Sequence, residues 1–147
     1  MRSVRIADIL LHKSRVVHSV LPWLTVADVV EQLNKFRIGA VLVSDENGAV
    51  RGIVSERDIV AALGRHGSAV LTMPLTEIMT QHVETCAPDD TVASAMARMT
   101  AGRYRHLPVV QKGELVGLVS IGDLVKNRVR EMELEVGVLR DRAIAHS

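Results

Sequence analysis

A chain of 147 residues has room for one compact domain, and its single Trp, Tyr and Phe offer no platform on which single-stranded bases could stack. Lys and Arg number 18 against 17 Asp and Glu, so the formal net charge of +1 is too small for a general nucleic-acid binder. The lone cysteine, Cys86, excludes an intrachain disulfide and a cysteine-built zinc site, and it fits a reducing compartment.

The chain opens with MRSVRIADILLHKSR, in which ADILL at 7–11 predicts a short helical piece. Asp8, His12 and Lys13 break the apolar run, so it lacks the core of a signal peptide, and no later stretch reaches bilayer-spanning length. A cytoplasmic protein without membrane contact is the expectation. Val16, Val17 and Val20 predict a short β segment closed by Pro22. Thr25, with Asp28 three positions on, predicts a capped helix whose face is Val26, Val29, Val30 and Leu33 and which Gly39 ends. AVLVS at 40–44 and VRGIVS at 50–55 flank a polar turn over Asp45–Gly48 and predict a hairpin. Ser55 with Asp58 marks another helix start, and that helix stops near Gly64 or Gly67.

The same order then returns. LTEIMT at 75–80 is a second helical lead-in, and Val83 and Thr85 lead to Pro88 as Val17 and Ser19 lead to Pro22. Val92, Ala95, Met96 and Met99 repeat the helical face, and LPVV at 107–110 with ELVGLVS at 114–120 repeats the hairpin around Lys112–Gly113. GIVSERDIV at 52–60 comes back as GLVSIGDLV at 117–125, and TVAD at 25–28 as TVAS at 91–94. The offset falls from 66 residues to 65 because the second hairpin turn is one residue shorter, a change that loops tolerate. The boundaries that follow are a first repeat at 5–66, a linker at 67–74, a second repeat at 75–130 and a helical extension at 131–147.

In that extension Val125, Val129, Met132, Val136, Leu139 and Ala143 are spaced 4, 3, 4, 3 and 4 apart, a heptad-like apolar seam. Arg128, Arg130, Glu131, Glu133, Glu135, Arg140 and Asp141 flank it. One helix lying along its own domain and a helix packing on a second subunit both fit this pattern.

Paired β-α-β-β-α copies, each ending in G-[IL]-V-S-x-x-D-[IL]-V, resemble a tandem of cystathionine-β-synthase (CBS) domains, the Bateman module, in its small stand-alone bacterial form. The resemblance covers about residues 5–130. It implies an α/β fold in which the pseudo-symmetric repeats pack sheet to sheet as one compact module with a C-terminal helix. It also implies clefts for an adenosine-containing ligand such as AMP, ATP or NAD(H), and a homodimer.

The residue chemistry agrees. At a strand-to-helix junction, Ser55 or Ser120 can cap the helix and donate to a phosphate, while Asp58 or Asp123 one turn on can accept the cis-diol of a ribose. The same S-x-x-D spacing also serves as a plain capping box, and TVAD at 25–28 is read as capping only. The second copy carries Arg103, Tyr104, Arg105 and His106 before a strand edge, a set suited to anions. Opposite them the first copy has Arg37, Ile38, Gly39 and Ala40, and it adds Arg57 where the second has Gly122. By resemblance, adenine slots are expected from Val17, Ser19 and Val20 with Ile38 to Ala40, and from Val83, Thr85 and Cys86 with Leu107 and Pro108.

No nucleophile–base pair, phosphate loop or metal-spaced histidine set occurs, so no catalytic role, metal or catalytic cofactor is expected. The expected function is a regulatory adenine-nucleotide module that senses energy or redox state and signals to an effector protein. The alternative is a ligand-independent dimerisation or protein-interaction module.

Overall fold

The computed structural model describes residues 3–13 and 16–145; within the last helix, the side chains of residues 130, 131, 133, 135 and 138–145 fall outside that description. In chain order the elements are α1 (Ile6–His12), β1 (Ser19–Val20), α2 (Val26–Phe36), β2 (Ala40–Ser44), β3 (Val50–Ser55) and α3 (Glu56–His66). Short 3-10 helices at Gly67–Thr72 and Leu75–Glu77 follow, then α4 (Val92–Gly102), β4 (His106–Gln111), β5 (Glu114–Ser120) and α5 (Ile121–Ala145). This is the expected pair of β-α-β-β-α copies with a C-terminal helix. No helix among the described residues is long and apolar enough to cross a membrane.

The chain divides into two compact units, one of residues Val16–Val83 and the other of Met1–Arg15 with Glu84–Ser147. In the first, β1 runs parallel to β2 and β2 antiparallel to β3, with Ala40 opposite Ser55. Its core gathers Val26, Val29 and Leu33 of α2, Val41 and Val43 of β2, Val54, Ile59 and the fully buried Leu75. In the second, β4 and β5 pair antiparallel with His106 opposite Ser120, and the core gathers Ile6, Leu10, Cys86, Ala95, Met99, Leu107 and Leu124.

The lead-ins are exchanged between the copies. Leu75 donates to the Leu24 carbonyl at 3.0 Å and Val26 to that of Met73 at 3.0 Å, which ties the second lead-in to the first copy. Symmetrically, Ile6 donates to Asp90 and Val92 to Val4, both at 2.9 Å, which ties α1 to the second copy. The glycine of the repeated motif makes room for this. A Cβ on Gly52 would stand 2.8 Å from both Met79 Sδ and the Thr80 carbonyl, and one on Gly117 would stand 2.7 Å from Leu10 Cδ2. Within residues 67–74, expected as a linker, Gly67–Thr72 form a 3-10 helix with Val70 fully buried in the first unit.

Several boundaries differ from expectation for identifiable reasons. Gly39 does not end α2; Arg37, in the left-handed region at φ 52°, closes it by donating to the Leu33 carbonyl. Arg103 at φ 59° closes α4 in the same way onto Met99. The first β segment pairs only over Ser19–Val20, and in the second copy it shrinks to one parallel bridge, Cys86 to Val109. Lys112 and Gly113 both have positive φ, 52° and 79°, and close the β4–β5 hairpin as a tight two-residue turn.

Candidate functional site

In the first unit, strand register brings three of the expected segments to one sheet end. Ser19 and Val20 lie beside Leu42 and Val43, Ala40 faces Ser55, and the Gly39 carbonyl accepts the Glu56 N–H at 2.9 Å. Val20 and Ala40 are buried and serve the core. Ser19, Arg37, Gly39 and Arg57 are exposed, with Val17, Ile38, Ser55 and Asp58 half-buried. Asp58 Oδ2 accepts the Ser55 N–H at 2.8 Å and its hydroxyl at 3.0 Å, while Asp58 N–H donates back to Ser55 Oγ at 3.3 Å. A complete capping box thus satisfies the helix start and uses one carboxylate oxygen.

Thr25 and Asp28 repeat this geometry, at 2.9, 3.0 and 3.3 Å. Cap geometry therefore does not set Asp58 apart from Asp28. What does is the setting of its cap at the sheet end: Ser55, which Asp58 caps, stands opposite Ala40, and the exposed Arg57 is beside it.

In the other unit, Cys86 donates to the Pro108 carbonyl at 2.9 Å and accepts from Val110 at 2.8 Å, and Arg105 accepts the Ile121 N–H at 2.8 Å. These bonds join Thr85–Cys86, Arg103–Pro108 and Ser120–Asp123. Cys86, Leu107 and Pro108 are buried, Thr85, Arg103 and Arg105 exposed, and Tyr104, His106, Ser120 and Asp123 half-buried. Val83 is the last residue of the first unit. Burial pushes the Cys86 thiol up to about 11, against the nearby Arg98 guanidinium, so it stays a neutral core group.

Asp123 has a partner that the sequence reading missed. Its Oδ2 accepts the Ser120 N–H at 2.8 Å and also the ammonium of Lys13, just past α1. Burial alone would raise this carboxyl, but the hydrogen bonds from Lys13 and Ser120 outweigh it and hold it below the ordinary value. Nothing in the local pattern marked Lys13, because the contact spans 110 residues.

Two further residue groups separate the copies. Arg98 donates to the Thr85 carbonyl at 3.0 Å and to Asp90 Oδ2 at 3.1 Å, pinning the first β segment of the second copy. The first copy has Gln32 and Leu24 at those positions. There His18 stacks on Phe36 at 4.2 Å between ring centroids, with the Lys35 ammonium 5.3 Å from the Phe36 ring. The alignment of the copies could have flagged both, since Glu84 and Gly102 stand opposite His18 and Phe36. Gly102 in turn accommodates the Tyr104 ring, with which a Cβ there would collide. Among the described residues, no group of three His, Cys, Asp or Glu side chains could hold a metal ion.

The comparisons agree with this architecture. The chain is similar to the CBS-domain protein ATU1752 from Agrobacterium tumefaciens, with 40% identity and a TM-score of 0.82 over 86% of this chain and 94% of that one. It is 32% identical to the mitochondrial CBS domain-containing protein CBSX3 of Arabidopsis thaliana, over 91% of this chain and 69% of the relative. The CBS domain pair of protein MJ0100, solved with 5′-methylthioadenosine and S-adenosyl-L-methionine, shares 25% identity and a TM-score of 0.73, over 84% of this chain and 98% of that one. The CBS domain family matches residues 6–65 and 75–130, so the chain belongs to it as a tandem pair, a Bateman module of the non-catalytic regulatory kind.

Proposed function

We propose that this protein is a regulatory module that binds an adenosine-containing ligand of the AMP, ATP or NAD(H) class and reports energy or redox state. The observation that carries this reading is the double convergence, within each unit, of a first β segment, an exposed left-handed arginine and a Ser–Asp helix start. The adenosine compounds bound by the related pair support the ligand class.

Asp58 and Asp123 keep one carboxylate oxygen, Oδ1, outside the capping box, and that oxygen is the ribose acceptor. The exposed Arg37 and Arg57 in one copy, and Arg103 and Arg105 with His106 in the other, take the phosphates as charge-assisted donors. Backbone groups of residues 17–20 and 38–40, and of 85–86 and 107–108, read the adenine edge. A ligand that binds two arrangements of a homodimer unequally shifts the population between them, and an effector protein reads the shift. The single cysteine leads us to place this action in the cytoplasm.

Isothermal titration of the full chain with AMP, ATP, NADH, S-adenosylmethionine and 5′-methylthioadenosine tests the reading. Saturable heat from one or more is expected, and no heat from any of them overturns it. The second reading, a ligand-independent dimerisation module, is favoured by the exposed Val125, Val129, Met132 and Val136 of α5. It requires a dimer that carries and binds no nucleotide.

A further inference from the structure

Helix α5 meets its own unit through the fully buried Leu124 and through Ile121, packed against the core. Its apolar seam is uncovered: Val125, Val129, Met132 and Val136 are 45, 48, 58 and 48% exposed. Leu139 and Ala143, the next seam positions, have side chains outside the described residues, but the helical backbone continues through both. We propose that this seam pairs with the same seam of a second copy as a parallel, in-register, two-stranded coiled coil. The proposal rests on the homodimer part of the proposed function and is independent of ligand binding.

Three features of the sequence on this helix select that occupant and that direction. In heptad register the a positions are Val129, Val136 and Ala143 and the d positions Val125, Met132 and Leu139. Val129 and Val136 at a with the unbranched Met132 and γ-branched Leu139 at d follow the pattern that favours two strands, with Val125 at the first d and Ala143 at the last a outside it. The flanking charges then choose orientation. Arg128 and Glu135 fall at g, Glu133 and Arg140 at e.

In a parallel pair each g position meets the e position five residues on in the other helix. Arg128 then faces Glu133 of the partner subunit, and Glu135 faces Arg140 of the partner subunit, opposite charges in both cases. An antiparallel pair that layers Met132 on Val136 sets g against g and e against e. Glu135 would then meet Glu135, Glu133 would meet Glu133, and Arg128 would meet Arg142, each a like-charge contact.

Light scattering of the full chain, with the Val129→Asp/Val136→Asp variant beside it, tests the surface. A dimer is expected for the parent and, for the variant, a monomer that still unfolds cooperatively, with a melting midpoint that no longer depends on protein concentration. Glu135→Arg is expected to weaken the dimer about tenfold, because it turns both symmetry-related attractions into repulsions, and Glu135→Arg/Arg140→Glu to restore it. Val136→Cys is expected to give a reducible disulfide-linked dimer, with the buried Cys86 contributing none.

A monomeric parent overturns the coiled coil and the homodimer reading together. A dimer that survives Val129→Asp/Val136→Asp overturns the coiled coil and leaves the homodimer reading standing. Loss of the dimer without charge-swap rescue, or without a disulfide cross-link in the Val136→Cys variant, overturns the parallel orientation.

Discussion

Lys13 holds its ammonium on Oδ2 of Asp123, while the equivalent oxygen of Asp58 takes the hydroxyl of its own Ser55. The two copies thus share a capping box and differ in what completes it. A ribose arriving at the second copy meets a carboxylate already paired with a cation.

That pairing gives a pH signature. The folded Asp123 carboxyl lies below its ordinary value of 3.8, so its contribution to stability is complete above that value and is lost as pH falls through the lower folded one. Lys13→Ala is therefore expected to be less stable than the parent at pH 7, with the gap closing once acid protonates Asp123 in both. Urea titrations from pH 7 down to about pH 2 measure the gap. A gap that persists undiminished would assign Lys13 a packing role instead of an ionic one.

The motif glycines are expected to differ in tolerance. A Cβ at Gly52 meets a backbone carbonyl, that of Thr80, whereas one at Gly117 meets the flexible end of Leu10. Gly52→Ala is expected to cost about 2–3 kcal/mol and Gly117→Ala about 1 kcal/mol, within the range for overpacking. Urea unfolding midpoints decide this, and equal costs would mean that the Thr80 segment yields as easily as a leucine side chain.

Asp28 and Asp58 make a matched pair. Each completes a capping box of the same geometry, so replacing either by Ala is expected to cost about 1 kcal/mol of stability. Only Asp58→Ala is expected to weaken adenosine binding as well, by tenfold or more. Calorimetric titration beside urea unfolding separates the two effects, and equal binding in both variants would leave Asp58 a capping residue alone.

Cys86 is expected to be inert. With its thiol at about 11 and its side chain buried, an aromatic disulfide reagent should label it at pH 8 only after denaturation. Cys86→Val should cost less than about 1.5 kcal/mol, because the first copy already carries Val20 at this position in the same parallel pairing. Rapid labelling of the native protein would contradict the burial.

Much of the fold was legible because duplication repeats local signals. Hydrophobic period, capping pairs and hairpin turns concern residues within a few positions of each other, and seeing each twice in register identified the β-α-β-β-α order. The helix ends were harder. Arg37 and Arg103 take a left-handed conformation that composition does not favour, so Gly39 was the natural but mistaken choice for the end of α2.

From the sequence by itself came the repeat, the copies' unequal arginines and the charge-patterned seam of α5, all carried by residue identity and spacing. Tertiary structure alone decided that each lead-in packs on the other copy, that Gly52 and Gly117 exist to admit it, and that Lys13 and Arg98 occupy groups in the second site. The physical reason is reach. A close approach of Leu10 to Gly117 or of Lys13 to Asp123 joins residues more than a hundred positions apart, and such contacts are set by how the core closes, not by any local period.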